Sequence, residues 1–132
     1  MEITIKQPLE LQLEVIETDD YLLSMRVQLH ATVFQFQHLC RYEGALWIEF
    51  ACWDEFTTSL RSSSWQEAVL RDMSGYFLLA IRRTGNGLLF TWEYAKSDID
   101  GDRRLNIVFS SKIDDDMFGK IRNEFLDFPV WW

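Results

Sequence analysis

The chain has 132 residues, of which 48% are hydrophobic and 15% aromatic, and a formal net charge of −8. That length favours one domain. The apolar content supplies enough burial to offset chain entropy, which excludes a disordered class. An acidic surface, with a pI near 4.7, repels phosphate backbones and argues against nucleic acid as a partner, while it favours encounter with a basic protein.

Cys40 and Cys52 are the only cysteines. Neither belongs to a C-x-x-C pair, so both are expected as reduced, half-buried thiols and not as a bridge. The start, Met-Glu-Ile-Thr-Ile-Lys, lacks a basic n-region and an apolar h-region. No run approaches a membrane span. The expectation is a soluble cytoplasmic protein with no membrane partner.

Ile3 and Ile5 alternate with Thr4 and Lys6, which predicts a short first strand. Leu9, Leu11, Leu13 and Val15 alternate with Glu10, Gln12 and Glu14, and that strand runs to about Thr18. Asp19-Asp20-Tyr21 follows as a turn. From Leu23 to Val33 the alternation is regular, then its phase flips at Phe34 and Phe36, which suggests a bulge or a bend. Arg41-Tyr42-Glu43-Gly44 reads as the next turn, and Leu46, Ile48 and Phe50 as inward positions after it. A short helix is expected over Trp53–Leu60, where Trp53, Phe56 and Leu60 recur at helical spacing and Asp54 and Glu55 are placed for the helix N-terminus.

Ser62-Ser63-Ser64 is a loop, Trp65–Met73 a strand of blurred phase, and Ser74-Gly75 a turn. Tyr76–Arg83 and Leu88–Tyr94 form a hairpin around Gly85-Asn86-Gly87, residues that tolerate positive φ. Leu105, Ile107 and Phe109 mark a further strand. Asp114-Asp115-Asp116 then cap a helix carrying Met117, Phe118, Ile121 and Phe125 on one stripe, which Pro129 ends. No internal repeat or linker is visible, so residues 1–132 are read as one domain. The expected fold is mainly β: an antiparallel sandwich or open barrel of about seven to nine strands, with a short mid-chain helix and an amphipathic C-terminal helix.

The catalytic inventory is thin. Asp98-x-Asp100-Gly101-Asp102 departs from a calcium loop, because its glycine precedes the third Asp and Phe109 stands where a bidentate Glu belongs. It fits a hairpin turn better, and an acidic loop facing a partner. His38-x-Cys40 offers two ligands where a structural zinc needs four. Glu49 and Glu93 could flank a sugar bond, yet among 21 acids no spacing singles out one pair. The doublets Arg82-Arg83 and Arg103-Arg104 read as solvated hairpin ends. Neither an enzyme, a cofactor nor a metal is expected.

Trp131 and Trp132 are costly if left in water, so at least one should pack back or meet a partner. The candidate partner-binding residues are therefore Asp98, Asp100, Asp102, Trp131 and Trp132. A homodimer is compatible with this set.

Ala45–Glu93 carry a resemblance. A strand of type Ala-Leu-Trp-Ile-Glu-Phe leads into a helix with Trp53, Phe56 and Leu60. Trp65, Ala68 and Leu70 follow, then Ser74-Gly75, Phe77-Leu78-Leu79 and a Gly-turn hairpin. This order resembles the immunity proteins of bacterial polymorphic toxin systems, those related to the WapI immunity protein in particular. The resemblance implies a small cytoplasmic protein that binds and blocks a toxin domain, often a basic nuclease, and it brings no binding residues with it. The contrasting expectation is a small-ligand-binding or hydrolytic β-barrel, with Trp47, Trp92 and Tyr94 lining a pocket.

Overall fold

The computed structural model describes residues 2–132, which form eight strands and two helices. Strands β1 (Glu2–Ile5), β2 (Glu10–Asp19), β3 (Ser24–Gln35) and β4 (His38–Glu49) make one antiparallel meander. Helix α1 (Phe50–Arg61) follows at once. Strands β5 (Glu67–Arg71), β6 (Phe77–Thr84), β7 (Gly87–Ser97) and β8 (Arg104–Ile113) make the second, and helix α2 (Asp115–Asp127) closes the chain.

Alternation sets the inward faces, since successive strand side chains point to opposite sides. Leu11 and Leu13, Met25, Val27 and Leu29, and Leu46 and Ile48 are buried on the first sheet. Ala68 and Leu70, Phe77, Leu79 and Ile81, and Leu88, Phe90, Trp92 and Tyr94 are buried on the second. The sheets meet through Tyr42, whose ring centroid lies 4.3 Å from Tyr94 and 6.2 Å from Trp92. The helices meet each other through Trp53 and Phe56 of α1, whose centroids lie 5.5 and 4.9 Å from Phe125 of α2.

The molecule repeats itself, which its sequence does not announce. Each half is a four-stranded meander followed by a helix. Glu49 and Asp114 hold the same N-cap position in the two halves. Exchanging the halves turns the packing of α1 on β5 into that of α2 on β1, and both contacts are present. The halves share a layout of inward positions and little residue identity.

Four local expectations need correction. Arg41–Gly44 is no turn: Cys40, Tyr42 and Gly44 extend the inward phase of β4, and β3 pairs with β4 without a break from Ser24–Glu49 to Gln35–His38. A Cβ on Gly44 would sit 2.5 Å from the Tyr42 hydroxyl, so the bare strand position is where the Tyr42 ring lies. The phase flip at Phe34 marks the approaching hairpin end, while the register shift falls in β2 between Val15 and Glu17. Helix α1 starts earlier than expected, at Phe50, so Asp54 and Glu55 lie beyond its first turn, which holds no acid. The fifth strand is shorter than Trp65–Met73, because Trp65 turns in to pack on Phe118 at 5.5 Å and Asp72 leaves the strand to accept from Phe77 N at 2.9 Å.

Candidate interaction surface

The β3–β4 hairpin turns through Phe36 and Gln37, both at positive φ, +53° and +68°. Two such residues in a two-residue loop match strand twist, but the geometry suits Asn and Gly, not a bulky ring. Phe36 is 90% exposed, and Phe34 and Leu39, paired in register on the outer face behind it, are exposed as well.

The β7–β8 hairpin turns through Asp98–Arg103. Gly101 N donates to the Asp98 carbonyl at 3.0 Å and Gly101 takes φ +71°. The Asp98 carboxylate accepts from Arg103 N at 3.3 Å and pairs with Arg103 Nε at 3.4 Å. Arg104 Nε donates to the Gly101 carbonyl at 3.2 Å. Asp98 therefore shapes the loop, whereas Asp100 and Asp102 face water beside a fully exposed Ile99.

Tyr42 follows the first tip by five residues and Tyr94 precedes the second by four, so their contact brings the roots of the two hairpins together. The two hairpins present exposed Phe34, Phe36 and Leu39 on the first, and Ile99 with three carboxylates on the second. Burial, then the neighbouring Tyr94 hydroxyl, pushes the Tyr42 phenol well above its ordinary value of 10.0.

Trp131 and Trp132 lie elsewhere. Trp132 stacks on Phe50 at 4.4 Å and 5° and donates from Nε1 to Asp54 Oδ1 at 3.1 Å. Phe50 follows the last residue of β4, so the pair sits about 35 Å along that strand from Phe36. Trp131 is 51% exposed and touches Phe128 at 5.9 Å. Trp132 packs back, and Trp131 alone keeps an open face.

The other candidates do not converge. Trp92 and Tyr94 point inward, while Trp47 lies on the opposite phase from Leu46 and Ile48, opposite Arg26. His30 pairs with Glu43 at 3.4 Å on the outer face. Both cysteines are free, and Cys52 Sγ lies 3.5 Å from both Arg71 N and Arg71 O. Glu49 occupies the N-cap position of α1 without a side-chain bond to it, and Glu93 sits mid-β7 on the outer face of the other sheet. No group of three or more metal-ligating side chains occurs among the described residues. Arg83 is less free than a solvated end, for its guanidinium lies 4.6 Å over the Trp65 ring and donates to the Trp65 carbonyl. An open groove of about 890 Å3 runs between β1 and α2 over Ile5, Met117 and Ile121, rimmed by Lys6, Lys120 and Glu124.

Compared with protein families, with curated proteins and with solved structures, the chain matches none.

Sequence reasoning placed Asp98, Asp100 and Asp102 on a loop, and they are there. It missed Phe36 and Ile99 as surface groups. Their signal was an apolar residue standing where a turn residue belongs.

Proposed function

We propose that the chain is a non-catalytic, toxin-neutralising module of the immunity type, which binds a basic protein partner, such as a toxin domain, through these two hairpins. One observation carries the reading: exposed Phe36 and Ile99 stand on the tips of two hairpins whose roots meet, and beside Ile99 are Asp100 and Asp102, carboxylates that no basic side chain pairs among the described residues. Aromatic anchors inside a charged rim are the usual anatomy of a protein-binding surface. The acidic loop steers a basic partner in, and the rings supply the contact that holds it. The resemblance over Ala45–Glu93 points the same way. Compartment follows from that reading as cytoplasmic; among the described residues no helix is long and apolar enough to cross a membrane.

Co-purification from the native host under mild conditions tests the proposal. A basic protein should be retained, with an association rate that falls as salt rises. Replacing Asp98, Asp100 and Asp102 by Asn should slow association and leave the folded state within about 1 kcal/mol of the parent. Recovery of a small metabolite in place of a protein would favour the groove between β1 and α2 and sink the proposal.

A further inference from the structure

Two four-stranded sheets have four edges, and an uncovered edge is a template for another strand. On β1, Thr4 N donates to Glu124 Oε2 of α2 at 3.3 Å. On β5, the Arg71 N–H and carbonyl both meet Cys52 Sγ of α1 at 3.5 Å. On β4, the Trp47 carbonyl accepts from Met73 N at 2.7 Å. Edge β8 has no such cover among the described residues: from Leu105 to Ile113 nothing outside its own hairpin bonds its backbone.

Nothing in β8 blunts that edge either. It has no proline, and its register with β7 runs unbroken from Ser97–Arg104 to Leu88–Ile113. Its charges, Arg104 and Lys112, stand near its ends, and Leu105 and Val108 are exposed between them. We infer that β8 is a dimerisation edge, on which a second copy of this chain pairs its own β8 antiparallel about a twofold axis. This inference is independent of the partner reading above.

Charge and ladder length select the register. A twofold normal to the sheet keeps inward residues on one side, so the axis must pass through a residue position and its copy. Centred on Val108, it sets Arg104 against the partner's Lys112, a like-charge clash at both ends. Centred on Ile107, it sets Lys112 against the partner's Asp102, but that residue lies in the hairpin loop, so the ladder is shortened. Centred on Phe109, it sets Arg104 against the partner's Asp114, the extended residue that follows β8, and Leu105 against the partner's Ile113. That ladder holds roughly eight to ten interchain hydrogen bonds and joins the two second sheets into one.

Light scattering and sedimentation at up to about 100 μM should give twice the chain mass of 15.7 kDa. In the Phe109 register Val108 faces the partner's Ser110 at a spacing a disulfide spans. The double variant Val108→Cys with Ser110→Cys should therefore cross-link on oxidation, and either single variant should not. The variant R104D changes an exposed side chain whose one bond is to the Gly101 carbonyl; circular dichroism should match the parent while the dimer dissociation constant rises about tenfold or more. A monomer throughout that range overturns the inference, as does a dimer that ignores both sets of variants. A monomer whose β8 instead takes up a strand of another protein also overturns it.

Discussion

Phe36 holds two unfavourable features at once: a ring in water and a left-handed backbone. A non-glycine residue in that region costs roughly 1–2 kcal/mol. The double replacement Phe36→Asn with Gln37→Gly supplies the residues this turn prefers. It should stabilise the fold by about 1–2 kcal/mol, seen as a later urea midpoint at unchanged slope, and should weaken partner binding. A fold that loses stability would show that Phe36 packs on something. Tyr42 carries the opposite balance, since burial holds its phenol neutral. Its folded-state value lies above the ordinary 10.0, so below that pH it is neutral folded or unfolded and contributes no pH dependence. Above it the unfolded chain ionises first, and stability falls as pH rises. Thermal midpoints of the parent and of Tyr42→Phe, taken between about pH 9 and 11, should diverge only at the alkaline end, with the parent falling faster. Trp53 and Trp92 bury indole N–H groups without an acceptor, a cost of about 1–3 kcal/mol each that close packing of their rings offsets.

Strands carry most of the specificity at the next scale. On β6, Phe77, Leu79 and Ile81 face the core while Leu78, Arg82 and Arg83 do not. Leu79 lies between Leu70 and Trp92 in register, fully buried. Leu79→Asp would bury a carboxylate with no cation beside it, a loss of several kcal/mol against a domain stability of about 5–15. The variant should be insoluble or unfolded by circular dichroism. A soluble, folded Leu79→Asp protein would refute the strand phase. The helices divide their labour differently. Asp114 accepts from Met117 N at 2.8 Å and two further acids follow in the first turn of α2, so its start is written in the sequence. Helix α1 starts straight from β4 with no side-chain cap, and Phe50 N donates instead to the Leu23 carbonyl. A helix end held by a distant strand turn leaves no local mark, which is why its boundary was read three residues late.

Across the whole molecule each half completes the other. Trp53 and Phe56 of the first half need Phe125 of the second, and β1 of the first is covered by α2. Fragments cut in the Ser62–Ser64 loop should each be unfolded alone and should regain strand circular dichroism when mixed. A first half that folds cooperatively by itself would show that the interface is dispensable. The inward residues of both sheets were legible because a half-buried strand must alternate. The repeat was not, because a shared layout of apolar positions does not require shared residues. The interaction surface was half legible: Asp98–Asp102 could be placed on a turn, but which two hairpins come together depends on Tyr42 meeting Tyr94. Those residues are far apart in the chain, and no local pattern encodes their contact.

The exchange of halves also bears on where a chain with this architecture can begin. Thr4 lies against Glu124, so the first strand and the last helix are neighbours in space. The break between the halves falls in an exposed serine loop. A circular permutant that opens at that loop and joins the old ends by a flexible linker would run β5 to α2 and then β1 to α1. Every strand pair and both helix contacts would survive, with only the order of synthesis reversed. What folds first from a ribosome would change, and the native packing would not.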